Sequence, residues 1–341
     1  IMDTSTVLRT LLNDQDRAEL LGRDTAITQV EVAPDTSIVL GLADNRWARV
    51  LWPTQHSSAK RVADWARHYH LWESTTQLSR DILLQQGELK ADEKLAPHLV
   101  GMGGSTRVLR YTPSKRVVLR HGNHVIEVSH RRFPQHQITG VPTPRKLGPV
   151  ADPHLVVHEF VADRNLSSEH APELDAIAGM VFARLHRLPP PEGPCTNVFR
   201  RLAALAQLFR YLNPILAARL NWIAGHVEEL GGTPVFSHGD ASPARVLTDG
   251  TQLWLTNFER ACGGPAAVDV GSYVETSDSE AGERFISGYT RAGGKLPNAR
   301  ALRHARAQAK LLRIADPLRQ GHADWETEIF AELDAVKELV L

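Results

Sequence analysis

Cysteine is the scarcest informative residue in this chain, with two in 341 residues. Cys195 and Cys262 lie far apart and share no C-x-x-C spacing, so the simplest expectation is two buried or free thiols in a reducing compartment. A charge surplus is also missing. Thirty-nine Lys and Arg meet 39 Asp and Glu, which leaves no field that would mark a nucleic-acid or membrane-surface partner. No apolar run approaches the roughly 20 residues needed to span a bilayer, and no basic segment followed by an apolar run marks a signal peptide. These absences lead to the expectation of a cytoplasmic protein. The 16 histidines supply no ligand spacing either. His68-x-His70, and His121 with His124, have no second half and read as solvated faces rather than a metal site. The motifs G-x-x-x-x-G-K-[ST], H-E-x-x-H and G-x-S-x-G are absent.

What is present is enough residues for two or three structural units around a full-sized core. Residues 1–100 read as a unit of their own. Asp3 to Leu21 is helical in character, and Ser37 to Leu42 and Arg46 to Trp52 form two strands around an Ala-Asp-Asn turn. Ser57 to Gln86 reads as one long amphipathic stretch, with Val62, Trp65, Tyr69, Trp72 and Leu78 at helical intervals. Its aromatic residues are expected to pack on this unit rather than to face a partner. Gly87 and the charged run Glu88 to Lys94 end it.

Residues 101–165 are β-rich. Gly101-Met102-Gly103-Gly104 opens the segment, either as a phosphate-covering loop, through amides that approach anions closely, or as a linker. Arg107 to Tyr111, Lys115 to His121 and His124 to Ser129 read as strands, the last two joined by the hairpin signal Gly122-Asn123. Leu155 to Phe160 is a further buried strand. Residues 166–341 are mainly helical: Leu174 to Leu188, then Phe199 to Leu230 with a break at Pro214, then Glu283 to Gly293 and Asn298 onward.

Within the helical part, Ser237-His238-Gly239-Asp240 begins a loop and hairpin that reaches Leu255-Thr256-Asn257-Phe258-Glu259. The stretch resembles the HGD-x-x-x-x-N and I-D-F-E/D pair of the aminoglycoside phosphotransferase and choline kinase superfamily. The likeness extends to Gly264-Pro265-Ala266-Ala267-Val268-Asp269 and back to Ala183-Arg184-Leu185-His186. Upstream, Leu109 to Arg120 resembles paired strands of maltokinase-like members, and residues 1–100 resemble their N-terminal cap. The resemblance implies an α+β, protein-kinase-like bilobal fold: a small β-rich N-lobe, a helical C-lobe and an extra N-terminal α/β cap. It further implies that Asp240, preceded by His238, would be the base for an attacking hydroxyl. The residue five positions on and the Asp closing the second strand would hold magnesium, and a third-strand Lys would meet the nucleotide phosphates.

The sequence departs from that pattern at each binding position. Arg245 stands where the loop Asn belongs, Asn257 where the metal Asp belongs, and Glu127 where the Lys is expected. An alternative register would make Arg120 the cation, but the third strand, not the second, carries the Lys. Magnesium takes hard, preferably anionic oxygens, and Arg has none to give. The helix with a Glu partner is also missing, since no Glu lies between His130 and Gly140. Asp240 is then either a base or part of a tight turn, whereas Asp269 is expected to hold that turn in either case. The leading expectation is a pseudokinase with an eroded Mg-ATP site, binding a small molecule or a protein partner in the old cleft. The alternative is an active kinase using ATP and Mg on a sugar, aminosugar or aminoglycoside hydroxyl. A third is nucleotide held in an inverted pose, with Arg245 on phosphate.

Overall fold

The computed structural model describes residues 3–134, 138–169 and 171–341. Helix α1 (Thr4–Leu12) is capped by the Asp3 carboxylate, and α2 (Asp14–Leu21) by the Asn13 side chain, each accepting from an otherwise orphaned backbone amide. An antiparallel sheet follows: β1 (Ile27–Ala33), β2 (Ser37–Leu42), β3 (Arg46–Leu51), helix α3 (His56–His68), β4 (Glu73–Ser79) and β5 (Ile82–Glu88). Its strand order is β1-β2-β3-β5-β4. The expected amphipathic stretch over 57–86 is therefore corrected. Helix α3 stops at His68, His70 takes a positive φ, and the remainder is a strand pair. The β-branched Thr75 and Thr76 favour the pleat, and β5 gains hydrogen-bonded partners on both edges, β3 and β4. The helical interval through Trp72 and Leu78 was coincidental. Short helix α4 (Ala96–Leu99) closes the unit.

The N-lobe is a four-stranded antiparallel sheet, β6 (Arg107–Thr112), β7 (Arg116–His121), β8 (His124–Ser129) and β9 (Leu155–Glu159), in chain order. The β6–β7 turn is fixed from outside. Buried Asp92 of the cap accepts from the Tyr111 hydroxyl (2.6 Å) and the Ser114 amide (2.7 Å).

The C-lobe contains β10 (Arg164–Asn165), α5 (Pro172–Leu185), α6 (Val198–Leu212) and α7 (Pro214–Ala224). Strands β11 (Val235–Ser237), β12 (Val246–Thr248), β13 (Leu253–Leu255) and β14 (Cys262–Gly264) carry the loops of interest. Helices α8 (Ala267–Glu275), α9 (Ser279–Arg291), α10 (Ala299–Leu312), α11 (Asp316–Arg319) and α12 (Trp325–Val340) complete it. Helices α5 and α9 cross so closely that a Cβ on Gly288 would overlap the Ala176 carbonyl oxygen.

The cap has its own sheet but no separate interior. One core joins Leu11, Ile38, Leu40 and Leu84 to Phe209, Leu216, Ile329 and Leu333 of the C-lobe helices. A second joins Trp47, Val62 and Leu95 of the cap to Tyr111, Val117 and Val128 of the N-lobe. Cap, N-lobe and C-lobe are thus tied by shared apolar burial, at roughly 25 cal/mol per Å².

The two cysteines also depart from expectation. Cys195 and Cys262 form a disulfide with Cα atoms 4.9 Å apart, linking the segment before α6 to β14. They are 67 positions apart in the chain, so only the approach of these two segments reveals the pairing. Among the described residues no helix is long and apolar enough to cross a membrane, and no group of three or more His, Cys, Asp or Glu is arranged around a possible metal.

Candidate functional site

The loop after β11 is held by one fully buried carboxylate. Asp269, in the first turn of α8, accepts from the Ser237 hydroxyl (2.9 Å), the His238 amide (2.7 Å), the Gly239 amide (3.0 Å) and His186 Nε2 (2.9 Å). Burial alone would raise its pKa, but the hydrogen bond from His186 and that from the His238 amide hold it below the usual carboxylate value. His186 Nδ1 accepts from the Tyr289 hydroxyl, whose pKa burial pushes up to about 12. His238 has no solvent exposure. Its Nε2–H donates to the Thr256 carbonyl (2.8 Å), so Nδ1 is left to accept from the Asp240 amide (3.3 Å). Burial lowers its pKa, and a neutral ring is what this donor–acceptor pattern requires. Gly239 takes φ +77°, and a Cβ there would overlap the Arg260 carbonyl, so the residue is fixed by geometry.

Asp240 itself is enclosed by guanidinium groups. Its Oδ2 accepts from Arg245 Nε (3.0 Å) and Nη2 (2.7 Å), and its Oδ1 from Arg313 Nη2 (3.0 Å). Arg260 Nη1 stands 3.7 Å from Oδ1. The carboxylate side chain is only 11% exposed. Charged hydrogen bonds of this kind are the strong ones, and both carboxylate oxygens receive at least one.

On the N-lobe side, Glu127 of β8 lines the cleft and is paired with Arg116 of β7. The same guanidinium reaches across to the C-lobe, donating to Asn257 Oδ1 (2.8 Å) and meeting Glu259 Oε1 at 2.7 Å. Asn257 takes φ +65° at the end of the β13 hairpin, a conformation that Asn adopts more readily than most residues. Arg120 is elsewhere: it stacks on Phe160 at 3.5 Å and donates to the Gly122 carbonyl. Gly103 and Gly104 precede β6, with Gly104 against His121 at the far end of the hairpin. The turn that faces Asp240 is the opposite one, carrying Thr112 and Lys115.

These residues do not fit a magnesium ion. Of the two metal positions, Arg245 offers no oxygen, and the Oδ1 of Asn257 already accepts from Arg116. Arg245 and Arg116 would stand against the ion, where anionic oxygens are wanted.

Two spaces open beside this cluster. One, of about 240 Å³, is largely apolar, with Val125, Ile138, Val156, Phe236, Leu255 and Phe258 in its walls. The other, of about 230 Å³, is lined by Arg110, Lys115, Arg116, Arg245 and Arg260, with Asp240 and Glu259. The sequence reading singled out Asp240, Arg245, Asn257 and Glu127, and the structure brings these four to one cleft. It did not identify Arg116, Arg260 or Arg313 as part of it. Arg260 directly follows Glu259 of the motif, whereas Arg313, at the end of α10, carries no local signal.

The comparisons agree with this architecture. The model of the phosphotransferase enzyme family (APH) matches residues 100–307, and the chain belongs to that family. A search of curated proteins gave no match. Among solved structures, a choline/ethanolamine kinase family protein from Mesorhizobium loti aligns at 17% identity and TM-score 0.50, covering 73% of this chain and 93% of that one. Choline kinase from Cryptosporidium parvum aligns at 10% identity and TM-score 0.50, covering 69% and 89%. An aminoglycoside phosphotransferase in complex with GDP and kanamycin aligns at 17% identity and TM-score 0.47, covering 74% and 99%. The fold is the bilobal, kinase-like one of the phosphotransferase enzyme family, shared with choline kinases, with the α/β cap in addition.

Proposed function

We propose that this chain is a phosphotransferase-family protein that no longer transfers phosphoryl groups and acts as a binding module through its cleft. The observation that carries the reading is the state of Asp240. A general base needs a free lone pair within reach of the hydroxyl proton, and here Arg245 and Arg313 fill three of the four lone-pair sites of the carboxylate, with Arg260 3.7 Å from the oxygen that keeps the fourth. The Arg116 bridge from Glu127 to Asn257 and Glu259 joins the two lobes across the place where metal-bound phosphates would lie in an active kinase. The apolar cavity remains open beside it, so the cleft keeps room for a small molecule or an inserted side chain of a partner. Fold alone does not imply chemistry.

The test is ADP release from ATP with Mg²⁺ or Mn²⁺, in the presence of sugars, aminosugars, aminoglycosides, choline or ethanolamine. The expected result is no turnover above the blank, with Asp240→Asn indistinguishable from the parent chain. Turnover that Asp240→Asn abolishes would establish an active kinase and overturn the proposal.

A further inference from the structure

We propose that the basic cavity beside Asp240 binds a phosphate-bearing ligand without a divalent cation, with arginines supplying the positive charge. The inference rests on the reading of the cleft as a binding site that has lost transfer chemistry, and names the class of ligand it takes.

The ion pairs around the cavity leave positive charge over. Lys115 meets Glu31 (2.8 Å), and Arg116 meets Glu127 and Glu259. Arg245, Arg260 and Arg313 all share the single carboxylate of Asp240. Two guanidinium groups remain. Arg110 lines the cavity of about 230 Å³ on one side of Asp240. Arg201 lines a smaller one, of about 40 Å³, on the other. Among the described residues neither finds an acceptor. Crowding by protein, then the neighbouring Arg245 and Arg116, lowers the pKa of Arg110, although its side chain is open to the cavity. Burial and then Arg260 and Arg319 do the same at Arg201.

Arginine stays charged in proteins, so such a cluster is relieved by an anion and not by proton loss. Its planar fork suits phosphate oxygens in pairs. The same arginines oppose a metal, so phosphate would enter bare. The apolar cavity shares Arg116, Asn257 and Glu259 with the basic one, which lets one ligand place an apolar ring in the first and its phosphate in the second.

Pyrophosphate is the probe, titrated calorimetrically into the full chain in EDTA and again in excess Mg²⁺. Expected is affinity in EDTA equal to or higher than in Mg²⁺. No binding in EDTA, or binding that tightens when Mg²⁺ is added, would overturn the inference. The variant Arg110→Gln removes an unpaired, solvent-open side chain, so its thermal midpoint should match or exceed the parent's. Its affinity for pyrophosphate should fall at least about tenfold, the scale of one lost charged hydrogen bond. Unchanged affinity in that variant would place the anion elsewhere and refute the assignment. Asp240-dependent turnover would refute the loss of phosphoryl transfer and leave this site standing. Failure of pyrophosphate to bind in EDTA would refute the site alone.

Discussion

Asp269 and Asp240 belong to the same loop system and meet opposite surroundings. Asp269 is fully buried among two backbone amides, a hydroxyl and a histidine. Each of these partners fixes the backbone of the loop. Asp240 sits at the cleft, in contact with Arg245, Arg313 and Arg260, the contacts on which the proposed loss of transfer rests. The loop's scaffold has been kept while the charges facing the cleft have been replaced. The difference teaches that the backbone geometry of a motif and the charges facing its cleft are set by separate contacts.

The largest test of this contrast is Asp269→Ala. It removes the acceptor common to four donors in a site closed to water. About 3–5 kcal/mol of folding stability should be lost, the cost of leaving one partner of a buried charged network alone. Chemical denaturation measures it, and a loss no greater than that of an exposed Asp→Ala control would break the comparison. The intermediate test rebuilds the other side. In Arg245→Asn/Asn257→Asp, an amide and a carboxylate replace the cation and the amide at the metal positions. Magnesium binding should strengthen by at least about tenfold, roughly 1.4 kcal/mol, measured by calorimetry. No change would mean that Arg116 and Arg313 exclude metal by themselves.

The smallest effect is in pH. Burial lowers the pKa of His238 below its unfolded value, so its contribution to stability is complete above about pH 6.5. As pH falls below that value the unfolded chain binds the proton first, and stability drops by at most about 1.4 kcal/mol per pH unit for this one group. Protonation at Nδ1 would also break the bond from the Asp240 amide. Thermal midpoints between pH 7 and 5 should fall less steeply in His238→Gln than in the parent chain. Parallel curves would show that the ring titrates normally.

Much of the fold was legible because it is written locally. Strands β7 and β8 announce themselves through the Gly122-Asn123 turn, and α6 and α7 through Pro214, which lies at the first residue of α7. The region from 69 to 86 is not legible in this way, because interval counting cannot distinguish a helix from a strand pair whose pairing partner, β3, lies outside the window. The candidate site divides in the same way. Arg245, Asn257 and Glu127 were visible as departures at known spacings, but their partners were not.

The sequence by itself determined that the chain has the family's loop order, with its hairpin and its Asp269, and that cations and amides replace the metal-binding set. Those are properties of residues at short, fixed separations. Tertiary structure alone decided that Arg313 reaches Asp240 from the end of α10 and that Arg116 bridges the two lobes. It also decided that Cys195 pairs with Cys262, and that the cap shares its interior with both lobes. In each of these, the contact joins segments far apart in the chain. The free energy comes from packing and charge between surfaces that meet only once the fold is complete, so no local pattern records it.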